Sequence, residues 1–121
     1  MATRTRQDLI FRTLRLLGAM GVGQQPSDED RAAVEDQIDT TLDMLIAKQV
    51  CDFPSRQEFH SALIQPLAVR LATVVGPDLA VGTLVGYGTA SFPEIAALAE
   101  QEIRYINAED QTDEPIRFVD Y

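Results

Sequence analysis

The stretch Ser61-Ala62-Leu63-Ile64-Gln65-Pro66-Leu67-Ala68-Val69-Arg70-Leu71-Ala72-Thr73-Val74-Val75 decides the fold. With Phe59 before it, the apolar residues Leu63, Leu67, Leu71 and Val74 recur at helical steps and line one face of a helix. Ser55-Arg56-Gln57-Glu58 has the form of a capping box, so the spacing predicts a helix from about Ser55 to Val75, stopped by Gly76-Pro77. Pro66 should kink this helix or mark where it properly begins, because its ring crowds the preceding turn and it lacks an N–H. Arg70 projects into the centre of the apolar arc. A charge there needs a partner, since desolvation is costly.

Three further helices follow from the same reasoning. The first runs from about Arg6 to Leu17, opened by the box Thr5-Arg6-Gln7-Asp8 and ended by Gly18 and Gly21. Its apolar arc is Leu9, Ile10, Leu14, Leu17 and Met20; Arg12 and Arg15 lie opposite, with Phe11 off the arc beside Arg15. The second runs from Asp28 to about Gln49, capped by Ser27, with Val34, Ile38, Leu42, Leu45 and Ile46 as its stripe. The last runs from Pro93 to about Ala108 on Ile95, Leu98, Ala99, Ile103 and Ile106. Glu102 falls at the centre of that arc, which makes it the expected ion-pair partner of Arg70. Between them, residues 78–92 are Gly-rich, with one short helical piece expected near Leu79 to Val85. Strand signals are poor. The expected fold is all-α: a small antiparallel bundle of about four helices over 1–108, followed by an extended C-terminal arm over 109–121. Leu9, Leu14, Leu17, Val34, Ile38, Leu42, Leu45, Leu63, Leu67, Leu71, Ile103 and Ile106 are its expected core.

The 121 residues fit one domain, and 45% hydrophobic with 24% charged residues is globular composition. The net charge of −9 argues against general coating of nucleic acid, which needs a cationic face. The charge is unevenly placed: residues 1–25 carry four arginines against one aspartate, whereas 26–53 and 94–121 each carry eight acids against two bases. Such blocks suit contacts between copies or with a partner. Cys51 is the only cysteine, which excludes an internal disulfide and a cysteine-based zinc site. No stretch is expected to cross a bilayer, and the arginines near the start are unlike a signal peptide. The composition reads as a soluble intracellular protein of a reducing compartment.

No catalytic, cofactor or metal constellation stands out. His60 is the only histidine, and no local motif joins it to Cys51 as base and nucleophile. Gly18-Ala19-Met20-Gly21-Val22-Gly23 follows a helix where a dinucleotide fingerprint would follow a strand. Gly82-Thr83-Leu84-Val85-Gly86-Tyr87-Gly88 lacks the lysine of a phosphate loop. Asp36, Asp39 and Asp43 share a helix face but are spread over about 10 Å of rise, which makes no cage for a cation.

The run Asp8-Leu9-Ile10-Phe11-Arg12-Thr13-Leu14-Arg15-Leu16-Leu17-Gly18, the Asp-rich second helix, and Ala62-Leu63 with Leu67-Ala68-Val69-Arg70-Leu71-Ala72 resemble the head–tail adaptor proteins of tailed bacteriophages. These are the connector or head-completion proteins, including tail accessory factors. The likeness covers residues 4 to about 76 and continues more weakly through the last helix. The sequence departs from the family in a short Val50–Pro54 connection and in Pro66, where asparagine is common. The resemblance implies a structural protein of the virion neck, made in the host cytoplasm. It implies a homo-oligomeric ring, usually of twelve copies, bound to the portal protein and to a tail or stopper (nozzle) protein. Genomic DNA would pass through the channel without sequence-specific binding.

The expected role is therefore a structural adaptor, not an enzyme, with no cofactor and no membrane. The expected contact residues with portal or neighbouring subunit are Ile116, Arg117, Phe118, Val119 and Tyr121 of the arm, with Phe11, Arg12 and Arg15 of the first helix. The alternatives are a phage peptidoglycan hydrolase using paired carboxylates and an acidic module that binds a basic partner.

Overall fold

Thr5 Oγ1 accepts the Asp8 N–H (3.2 Å) while Asp8 Oδ2 accepts the Thr5 N–H (3.2 Å), and this reciprocal box opens α1 (Arg6–Leu16). A computed structural model describes residues 2–19 and 23–112, with side chains as far as Ala108. Helix α1 ends in a Schellman turn: Gly18 is left-handed (φ 72°), its N–H reaches Arg15 O, and the Ala19 N–H reaches Leu14 O. Ser27 Oγ accepts the Asp30 N–H (3.1 Å) and caps α2 (Asp28–Ala47), whose first turn carries three acids at the positive dipole end. The same turn closes α2, with Gln49 in the left-handed position (φ 59°) and the buried Val50 donating to Leu45 O.

The third helix begins later than its capping box suggests. Ser55 Oγ accepts the N–H groups of Gln57 (3.1 Å) and Glu58 (3.3 Å), but that turn feeds a strand. Strand β1 (Thr3–Thr5) pairs antiparallel with β2 (Glu58–His60), Arg4 opposite Phe59. Helix α3 then runs Ser61–Val75, capped by His60 Nδ1, which accepts the Ala62 N–H (3.0 Å). The late start still leaves Pro66 inside α3 as its sixth residue, where the missing N–H forgoes the bond to Ala62 O. Phe59 is buried between exposed Glu58 and half-buried His60, a period of two over only three residues, too short to read against the helical pattern around it.

A short 3-10 turn (Gly76–Leu79) follows, and the helix expected over Leu79–Val85 is absent. Ala80 adopts a left-handed conformation (φ 57°) that leads the chain out. The segment instead buries Leu84 and donates the Val85 N–H to Leu16 O (2.8 Å), satisfying one of the carbonyls left open at the end of α1. Helix α4 (Phe92–Thr112) runs four residues past its expected end, so 109–112 of the expected arm are helical; nothing stops a helix there before Pro115. Gly76 is required by packing: a Cβ there would lie 2.7 Å from Phe92 Cε2 at the start of α4.

Helix α3 packs against each of the other three. Contacts of Arg6 with Glu35 and of Phe11 with Arg31 show that α1 and α2 are antiparallel. Gly76 beside Phe92 and Arg70 beside Glu100 show the same for α3 and α4. Eleven of the twelve expected core residues are buried, and Ile106 packs half-buried against them. With its following turn, α3 is long and apolar enough to cross a membrane (Ser61–Leu79, mean hydropathy 1.2), contrary to the expectation for the chain. In the bundle most of that stretch is buried against the other helices.

Candidate functional site

The partner of Arg70 is Glu100, not Glu102. Arg70 Nε lies 2.7 Å from Glu100 Oε2, and Lys48 Nζ lies 2.9 Å from Glu100 Oε1. Arg70 also donates to Thr73 Oγ1 (3.0 Å). Glu102 is exposed, because Leu98 does not belong to the core face of α4: it is 64% exposed. The buried face of α4 is formed by Ile95, Ala99, Glu100 and Ile103, which leaves Leu98 and Glu102 together on its exposed side. Burial pushes the Glu100 carboxyl up, but hydrogen bonds from Lys48 and Arg70 outweigh it and hold it below its ordinary range. This cluster joins α2, α3 and α4 and offers nothing to a substrate, since its charges are already satisfied by one another.

Two of the three aspartates of the α2 stripe, Asp39 and Asp43, are likewise engaged. Arg6 bridges Glu35 (2.8 Å) and Asp39 (3.3 Å) and donates to the Arg56 carbonyl, while Arg56 pairs with Asp39 (3.3 Å) and Asp43. The Asp39 carboxyl is held below its usual range by hydrogen bonds from Arg6 and then Arg56. These contacts tie the start of α1 and the 55–57 turn to α2. Asp28, Glu29 and Asp36 remain exposed on α2.

On α1 the structure brings the three expected contact residues together. Phe11, Arg12 and Arg15, with Arg4, Asp8 and Ile64, line a small concavity of about 130 Å³. Arg12 and Arg15 are exposed; Arg12 donates to Gln65 Oε1 (2.9 Å), and the half-buried Phe11 ring is faced by Arg31 at 5.7 Å. Arg4 and Arg15 make no ion pair among the described residues. Such a face, cationic with an aromatic floor, suits a partner's acids and apolar groups. Arg4 joins it from β1 and Ile64 from α3, which packs against α1, and the sequence pattern announces neither.

A second concavity, about 290 Å³, lies where Cys51 to Ser55, the two-stranded β1–β2 ribbon and the Ile106–Asn107 turn of α4 meet. Phe53, Phe59, Leu63 and Ile106 form its apolar wall. Cys51 and His60 both line it but are engaged separately: the Cys51 thiol donates to the Asp52 carbonyl (3.3 Å) and His60 caps α3. Ile116, Arg117, Phe118, Val119 and Tyr121 lie outside the described residues. No family model, curated protein or solved structure matches the chain.

Proposed function

We propose that the protein is a head–tail adaptor of a tailed bacteriophage, forming a ring of about twelve copies beneath the portal. The observation that carries this reading is the division of exposed charge between two surfaces. Helix α1 presents Arg12 and Arg15 beside Phe11, with Arg4 of β1 next to them, and α2 presents Asp28, Glu29 and Asp36. Surfaces that differ and complement each other favour head-to-tail contacts between copies, and such contacts close into rings when the rotation permits. The resemblance in α1, α2 and the Leu67–Ala72 segment points the same way. In this reading the arm binds the portal or a neighbouring subunit, and a tail or stopper protein binds the opposite side. A net charge of −9 would keep the channel wall from holding DNA phosphates, so the genome could slide past.

The arm gives the test. Its apolar residues Ile116, Phe118 and Val119 follow a stretch too polar to form a core of its own. Truncation after Asp113 leaves every described element in place and should preserve helix content and melting temperature. Attachment of the truncated chain to portal-bearing heads should fail. Normal attachment would show that the arm is not the anchor.

A further inference from the structure

The apolar pocket at the ribbon lies beside α4, and nine residues, 113–121, follow the end of that helix. Its wall is aromatic and aliphatic: Phe53 stands edge-on to Phe59, with ring centroids 6.2 Å apart, and Leu63 and Ile106 complete it. A volume of about 290 Å³ falls just below the range of small-molecule sites, roughly 300–1,000 Å³, and suits one or two large side chains. Asp52 and Glu58 stand exposed among the lining residues and make no ion pair among the described residues.

We propose that this pocket is the seat of the Ile116–Val119 segment of the same chain, with Phe118 held against Phe53, Phe59, Leu63 and Ile106. The segment has the matching chemistry. Ile116 and Phe118 would share one side of an extended peptide, and Arg117, the only cation after Arg104, matches the charge of Asp52 and Glu58, which make no ion pair among the described residues. The reach is sufficient. Helix α4 carries the chain about 9 Å from Ile106 to Thr112, and the six residues from Thr112 to Phe118 span up to about 20 Å when extended. Pro115 lies inside that span, at a position suited to a reversal. Addition of the segment as a third strand is less favoured, because the Thr5 N–H is taken by Asp8 and the Glu58 N–H by Ser55.

A seated arm is withheld from other partners until one competes for it, so docking would set when the arm becomes available. That consequence rests on the adaptor reading; the docking itself is a property of the isolated chain. The chain has no tryptophan, so Phe118→Trp in the full-length protein supplies a single reporter. Its emission should be shifted to the blue. Its acrylamide quenching should be roughly tenfold weaker than in a free 113–121 peptide with the same substitution, a preference of about 1.4 kcal/mol. Neither should change on dilution. Adding Phe53→Ser, at a half-buried position, should return both to the values of the free peptide. Independently of that variant, the indole should show nuclear Overhauser contacts to the Leu63 and Ile106 methyl groups. Solvent-like emission, a blue shift that survives Phe53→Ser without those contacts, or loss of the shift on dilution would each overturn the proposal. Attachment to heads is read separately, so failure of docking and failure of the adaptor role are distinguishable.

Discussion

Replacing Glu100 with alanine is expected to lower the stability of the protein by about 3 kcal/mol, the lower end of the cost of breaking a buried ion pair. The Glu100 side chain is 10% exposed and satisfies two cations, Lys48 at the end of α2 and Arg70 of α3. Lys48 is half-exposed and can turn to water, but the Arg70 side chain is only 14% exposed and would keep Thr73 as its remaining strong acceptor. The cost comes from that stranded charge. Glu100→Leu combined with Arg70→Met should therefore cost less than Glu100→Ala alone. The pH dependence carries a sign. Because the carboxyl is held below its ordinary value in the folded protein, its contribution is fully present above the unfolded carboxylate range. It is lost as pH falls through the lower folded value. Glu100→Gln should thus show a shallower acid limb in urea midpoints measured against pH. An unchanged acid limb would mean that the cluster contributes nothing.

Leu42→Ala is expected to cost about 2–5 kcal/mol, the range for deleting a buried leucine side chain and leaving a cavity. Leu42 is 1% exposed, in the middle of the α2 stripe that runs from Val34 through Ile38 to Leu45, all of it buried. The side chain is enclosed by the core, and α2 has little freedom to close the gap because Arg6 and Arg56 pin its outer face. A chemical-denaturation loss below about half a kcal/mol, the range of surface substitutions, would contradict this packing.

The helices were legible because leucine, isoleucine and valine recur at the helical period in four separate runs, and because Thr5 and Ser27 cap as their neighbours predict. The departures have local causes. Three-residue strands offer no period to detect, so Phe59 reads as helical when it belongs to β2. Leu98 pulls the apparent face of α4 toward Glu102, although it projects to solvent, and the true partner Glu100 becomes visible only once Lys48 and Arg70 are known to converge there. The α1 contact face was partly legible, since Phe11 departs from the core arc beside Arg12 and Arg15; Arg4 and Ile64 join it through tertiary contact alone. The ribbon pocket was not legible at all, because its walls come from a loop, both strands, the first turn of α3 and the last turns of α4.

Native mass measurement of the purified full-length protein, alone and mixed with portal rings, tests the adaptor role most directly. The expected result is a closed ring of the chain, or a monomer that assembles in a fixed multiple on the portal and nowhere else. A protein that stays monomeric in the presence of portal rings would contradict it, and so would one that binds a single basic partner in a one-to-one complex and leaves the portal bare.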